Sequence, residues 1–203
     1  SVERYKGFYI GRYEAGDKEN TEAKTLRSSN DVTKTVTIKA NQAPYNYVTR
    51  TQAKSLAEGF KTQQNYSSSV TTKLVSSYAW DTAIAFIQKT NSDYGRSSEE
   101  GNYKDSPTFN YTGIADTEKN KQTKANGTGT LIPTGQTTAV NNIYDMGGNV
   151  WEWTTESYSR TFSPYTLRGG IYNDSFALRP AGYRIYGFDA AYDYSGFRLT
   201  LFL

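Results

Sequence analysis

The chain contains no cysteine and no histidine. Without cysteine there is no disulfide, no thiolate nucleophile and no redox pair. Without histidine the usual general base is missing. So is the commonest ligand for zinc, copper and non-haem iron. Metal chemistry is left to Asp, Glu, Asn and main-chain carbonyls, hard oxygen donors that suit Ca²⁺ or Mg²⁺. No apolar run approaches the roughly 18–20 residues that cross a bilayer. Net charge is only +3, from 23 basic and 20 acidic residues, and no Lys/Arg cluster makes a stripe. That balance argues against nucleic acid as a partner. The opening "SVERYKGFYIGRYEAG" starts on Ser and has no signal-peptide core, as expected of a segment of something longer.

A further absence is local. From Ser157 to Leu203 there is no Lys, Glu, Gln, Met or Trp, although these types number 34 in the whole chain. At that rate the tail should hold about eight of them. Lys and Glu are the residues most expected on exposed loops. They are missing from "RGGIYNDSFALRPAGYRIYGFDAAYDYSGFR", Arg168 to Arg198, which is polar, aromatic and loop-like. The missing types share one property: their codons always end in a purine. A codon free at its first two bases but held at C in the third never spells them. Adenine-directed mutagenesis of AAC (Asn) codons has that outcome. A buried strand pair is a poor alternative, because Asn173, Asp174, Asp189, Asp193 and Ser195 are costly in a core.

What is present outlines a globular α+β chain. It has 203 residues, 36% hydrophobic and 21% charged, enough to bury a real core in one domain spanning 1–203. "KGFYIGRYEAG" and "TVTIKA" read as short strands. "TRTQAKSLAEGFK" predicts a helix, with Thr49 and Gln52 at capping-box spacing and Ala53, Leu56, Ala57 and Phe60 on one face. "SSYAWDTAIAFIQK" predicts a second, with Trp80, Ala83, Ile84 and Ile87 as its stripe. Both stripes read as core faces. Residues 91–140 form a long polar insertion, expected as surface decoration, with a hairpin turn at Asn126-Gly127. Strand-like runs punctuated by glycines fill the last third.

Three motifs then occur in order: "NIYDMGGNVWEW" (Asn142 to Trp153), "LRGG" (Leu167 to Gly170) and "GFRLTL" (Gly196 to Leu201). Together they resemble the formylglycine-generating-enzyme-like (sulfatase-modifying factor) branch of the C-type lectin fold. The early "FYIGRYEAG" and the two helices stand where that family places them. Gly147-Gly148 permits a turn with positive φ. Trp151 and Trp153 share a strand face, with Val150 and Glu152 opposite. Arg168 and Arg198 are expected to pin loops by hydrogen bonds to carbonyls.

The resemblance implies a calcium site around the "GNVWEW" segment, with carboxylates from Asp145 and Glu152 and carbonyls from Gly148 and Val150. It does not carry the family's oxidase chemistry, which needs paired cysteines after "RGG", or the sulfoxide-synthase chemistry, which needs a histidine cluster. No cofactor is required; Ca²⁺ is at most structural. A calcium-dependent sugar-binding lectin is a weaker alternative, because the Glu-Pro-Asn, Gln-Pro-Asp and Trp-Asn-Asp triplets are absent.

The tail also resembles the variable protein of a diversity-generating retroelement. That resemblance implies a separately encoded reverse transcriptase that rewrites the 3′ end of the gene, and display on a virion or bacterial cell surface. The positions expected to vary, within about 171–195, are Ile171, Asn173, Asp174, Ser175, Phe176, Ala177, Leu178, Tyr183, Ile185, Tyr186, Phe188, Asp189, Tyr192, Asp193 and Tyr194. Gly169, Gly170, Pro180, Gly182, Gly196, Phe197 and Arg198 are expected as frame, and Tyr172 fits either class. The expected partner is a macromolecule, a protein by the aromatic and polar chemistry of these side chains. Neither nucleic-acid binding by this chain nor a membrane span is expected.

Overall fold

The computed structural model describes residues 7–21, 26–96, 99–113, 121–158, 161–162 and 164–203. The architecture is mixed α and β. Helix α1 (Arg50–Gln63) starts where the sequence places it: the Thr49 hydroxyl accepts from the Gln52 amide (3.1 Å), and the Gln52 side chain accepts from the Thr49 amide (2.9 Å). Ala53, Ala57 and Phe60 are buried and Leu56 half-buried. Helix α2 (Ser77–Ile87) is capped by Ser76 and buries Trp80, Ala83, Ile84 and Ile87. Among the described residues, no helix is long and apolar enough to cross a membrane.

Two sheets organise the rest. Strand β1 (Tyr9–Ile10) pairs with β12 (Leu199–Phe202), which pairs with β5 (Thr71–Leu74), so the two ends of the chain meet, Tyr9 opposite Leu201. The second sheet runs β10 (Arg184–Gly187), β9 (Tyr165–Arg168), β8 (Trp151–Ser157), β11 (Ser195–Phe197). The β8–β11 pairing is parallel and sets Trp151 against Ser195 and Trp153 against Phe197. Strand β2 (Gly16–Asp17) lies between β3 (Val36–Thr37) and β4 (Ala43–Pro44) in a small third sheet.

Trp151, Trp153, Tyr45, Leu167 and Phe197 join the α1 stripe in one core; the α2 stripe packs with Tyr94, Met146 and Ala181 in another. Trp153 is buried with its indole N–H satisfied by the Val48 carbonyl (2.9 Å). Large aromatic area is thereby removed from water without stranding a donor.

The insertion departs from the sequence reading in two ways. Its hairpin pairs β6 (Phe109–Thr112) with β7 (Lys121–Lys124), and Asn126-Gly127 lies beyond it. Gly127 has φ +85° while Asn126 keeps a negative φ. A two-residue hairpin turn of the Asn-Gly type needs positive φ at both; here Thr128 N–H instead closes an isolated turn on Ala125 O (3.2 Å). Nor is the insertion mere decoration: Asn102, Tyr103, Ser106, Tyr111, Lys124 and Ile132 are buried. Polar composition misleads here, because Asn102 Nδ2, Tyr103, Ser106 and Lys124 find partners inside the protein rather than in water. Residues 118–120 of its most polar run lie outside the described residues.

Candidate functional site

Two arginines hold the frame. The Arg198 guanidinium is buried; it donates to both Glu152 oxygens (2.8–3.2 Å), to Gly11 O (2.7 Å) and to Tyr144 O (2.8 Å). Arg168 donates to Gly182 O (3.0 Å), Tyr183 O (3.1 Å) and the Asp81 carboxylate (2.6 Å). Both pin loop carbonyls, the geometry a planar fork of donors suits. Two glycines allow the backbones to meet. A Cβ at Gly148 (φ +70°) would stand 2.1 Å from Asn102 O, and one at Gly170 (φ +81°) 2.5 Å from Arg179 O.

Both carboxylates expected to hold calcium have protein partners in this arrangement. Both oxygens of Glu152 accept from Arg198. Asp145 accepts from Gly135 N–H (2.6 Å) and the Thr137 hydroxyl (3.0 Å). Gly148 and Val150, whose carbonyls are expected to complete the site, stand between them in the chain. Among the described residues, no group of three or more Asp, Glu, His or Cys is placed to hold a metal. A guanidinium supplies the positive charge that a cation would otherwise bring.

The same region is electrostatically loaded. Glu14 is buried, accepts from Asn149 Nδ2, and leaves its second oxygen without a partner. Burial, then the charges of Asp145 and Glu152, push its carboxyl well above the ordinary range. Burial raises Glu152 to about 7 against the pull of Arg198. Asp145 is raised too, again chiefly by burial.

The tail segment lies over this frame. Of the positions expected to vary, Asn173, Ala177, Leu178, Tyr183, Tyr186, Phe188, Asp189 and Asp193 are exposed. Ile171, Asp174, Ser175, Phe176, Ile185, Tyr192 and Tyr194 are half-buried, and none is buried. Leu178 is 74% exposed and Phe188 53%. Of the expected frame, Gly169, Gly170, Gly196, Phe197 and Arg198 are buried, and Pro180 and Gly182 are half-buried.

Main-chain bonds from outside the segment set its path. Tyr172 N–H donates to Asn149 O (3.0 Å), and Trp80 Nε1 to Ala181 O (2.9 Å). Gly182 N–H donates to Gly95 O (3.0 Å), Tyr47 N–H to Tyr192 O (2.9 Å), and Trp151 N–H to Tyr194 O (2.8 Å). Asn46 donates to Asp193 O. Bonds of this kind are indifferent to the side chain carried at the bonded residue.

Several of the side chains cluster. Ile171, Ile185, Tyr192 and Tyr194 pack on the core that contains Trp151. Tyr183 stands 6.0 Å from the Trp151 ring, and the Arg179 guanidinium lies 5.8 Å over it. The Tyr192 and Tyr194 rings stack at 5.0 Å. Strand alternation turns Arg184 and Tyr186 to the other side of β10. There Arg184 pairs with Asp81 and Glu156, and Tyr186 meets Tyr158 at 5.1 Å. The expected positions on β10 thus face two sides of the strand. Asp189 differs from its neighbours: it accepts from the Thr51 amide (3.0 Å) and hydroxyl at the start of α1. Burial alone would raise its carboxyl, but these bonds outweigh it and lower it.

Sequence reasoning missed three contributors. Trp151 underlies the first aromatic group, and its strand pattern marks it only as core. Tyr158 pairs with Tyr186 just before the segment begins. Asp105, in the insertion, accepts from the Ser175 hydroxyl (2.6 Å) and Phe176 N–H (3.0 Å).

This frame of buried arginines and close-packed glycines extends through most of the chain, and so does a family match. The model of the sulfatase-modifying factor enzyme 1-like domain covers residues 2–201. The chain belongs to this family. Its fold is accordingly the α+β, C-type lectin-like fold of that branch. Among solved structures it is similar to CarF, with a TM-score of 0.61 and 15% identity over 97% of this chain and 86% of that one. It is also similar to PvdO from Pseudomonas aeruginosa, at TM-score 0.54 and 16% identity over 97% and 80%. Treponema denticola variable protein 1 matches at TM-score 0.46 and 15% identity over 80% and 71%. No curated protein sequence matches the chain.

Proposed function

We propose that this member of the sulfatase-modifying-factor family is a hypervariable ligand-binding protein and not an enzyme. Its side chains between Ile171 and Tyr194 are the diversified surface, rewritten by a separately encoded reverse transcriptase through adenine-directed mutagenesis. The observation that carries the reading is a coincidence of two patterns. The stretch lacking every residue type whose codons must end in a purine is also the stretch where the expected variable positions all reach solvent over a buried frame.

The surface chemistry suits a macromolecular ligand, a protein in the first instance. Tyr and Phe give large, stiff contact area at low entropy cost, while Asn, Asp and Ser supply adaptable hydrogen bonds. Exposed aromatic residues on this scale favour an interface. Oxidase chemistry of the cysteine or histidine type has no candidate side chains in this chain. Display on a virion or a bacterial surface would put such a site to use.

The test is the DNA beside the gene. The proposal expects a reverse-transcriptase gene and a near-copy of the 3′ end bearing adenines at the variable codons. Finding neither would remove the mechanism.

A further inference from the structure

We infer that the insertion is a strut for the first diversified loop, and that Asp105 is its positioning and specificity-determining residue: the Asp105 carboxylate fixes the main chain at Phe176 and filters which side chain position 175 can carry. The inference rests on the variable-surface reading for the word diversified, and on geometry for everything else.

The carboxylate of Asp105 makes two bonds to the loop, from the Ser175 hydroxyl (2.6 Å) and from Phe176 N–H (3.0 Å). A third bond runs from Lys104 N–H to Asp174 O (3.1 Å). An ionised carboxylate only accepts, so both partners must be donors. The amide of residue 176 is a donor whatever non-proline side chain stands there. The group at 175 is not so guaranteed.

The strut is itself stiffly held. Lys124 is buried, and its ammonium group donates to the carbonyls of Tyr103, Lys104 (3.0 Å) and Ser106 (3.4 Å), closing the turn that carries Asp105. The Ser106 hydroxyl donates to Gly101 O (2.8 Å). The Asn126-Gly127 turn braces the same place: Asn126 Nδ2 donates to Asp105 O (2.9 Å) and Ser106 O (3.1 Å), and Gly127 N–H to Lys104 O (2.6 Å). Tyr103 then reaches under the loop, donating its hydroxyl to Gly169 O (2.8 Å) with its ring 6.4 Å from Phe176. Asp105 is therefore not free to retreat from an incompatible neighbour.

The filter follows from charge. Ser, Thr and Asn at 175 can donate to the carboxylate. An ionised Asp cannot, and it would set a second negative charge within hydrogen-bond distance of the first, a like-charge contact that destabilises the loop. Asp differs from Asn by one base in codons ending in C, so the diversification chemistry would keep producing a variant that the strut rejects.

The experiment displays the full chain on a cell surface with codon 175 randomised at its first two bases and C in the third. Cells are sorted for resistance to protease, and codon frequencies are counted. In the native background, Asp at 175 should be depleted at least tenfold relative to Asn. With Asp105→Asn, which keeps an acceptor for Phe176 N–H but removes the charge, the depletion should vanish. Asp105→Ser serves as the second background should Asp105→Asn fail to fold. Equal recovery of Asp and Asn in the native background, or a depletion unchanged in both variants, overturns the inference. Because the library is imposed, a filter found without any template repeat in the genome would leave the strut standing and remove the natural diversification.

Discussion

The frame and the segment above it are held together by different parts of the amino acid. In the frame, side chains do the bonding: Arg198 grips Glu152 and two carbonyls, Arg168 grips Asp81 and two more, and Trp153 donates to Val48 O. In the segment from Ile171 to Tyr194, most anchors fall on main-chain atoms, at Tyr172, Ala181, Gly182, Tyr192 and Tyr194. A frame bonded through side chains is intolerant of change. A segment bonded through its main chain can change side chains and keep its path. Ser175, Arg184 and Asp189 stand apart, since their side chains bond Asp105, the Asp81 and Glu156 carboxylates, and Thr51 respectively.

The sharpest way to break this comparison is at Arg198. Arg198→Ala leaves Glu152 buried without its partner and should cost about 3–5 kcal/mol, measured by urea unfolding. A loss below about 1 kcal/mol, the scale of an exposed pair, would put Arg198 in the same class as the surface residues.

Next comes the buried carboxyl at Glu14. Its folded-state pKa is raised above the ordinary 4.5, so folding takes up a proton. Its contribution is intact below about 4.5 and is lost as pH climbs toward the raised value. Glu152, raised to about 7, adds to the same trend. Glu14→Gln should therefore raise Tm, with a gain that grows from about pH 4.5 upward. A pH-independent difference in thermal melts would contradict the assignment.

Asp189 tests the border between the regions. Asp189→Ala removes an acceptor at the start of α1 but leaves the Thr49 capping box, so the expected cost is about 0.5–1 kcal/mol. Smallest of all, Asn173, Ala177, Leu178, Tyr186 and Phe188 should each accept replacement within about 0.5 kcal/mol. Denaturant midpoints would check both statements, and a large loss at Tyr186 or Phe188 would move that position into the frame.

Much of the frame was legible because its signals are local. Thr49 and Gln52 sit one helical turn apart, and the stripes of both helices follow the helical period. Trp151 and Trp153 share a strand face through a spacing of two. The candidate site was legible only in outline. Codon-compatible composition marks the segment, but nothing in composition shows that β10 sends Ile185 and Tyr186 to opposite sides. Distant partners left no trace: Asp105 meets Ser175 across 70 positions, and Glu14 meets Asn149 across 135. The two carboxylates named for calcium already have protein partners, for a related reason. Glu152 looks like a free oxygen donor until Arg198 arrives from 46 positions on, and Asp145 until Gly135 and Thr137 do. Asn126-Gly127 has hairpin chemistry, yet the backbone angle of Asn126 is a tertiary outcome and serves to brace the Asp105 turn.

The most direct measurement is deep sequencing of this gene from many cells grown from a single founder. Substitutions should concentrate at the codons for the positions expected to vary between Ile171 and Tyr194, leave the third base as C, and spare Gly169, Gly170, Pro180, Gly182, Gly196, Phe197 and Arg198. Changes scattered evenly along the gene, or a 3′ end as invariant as the rest, would contradict the account.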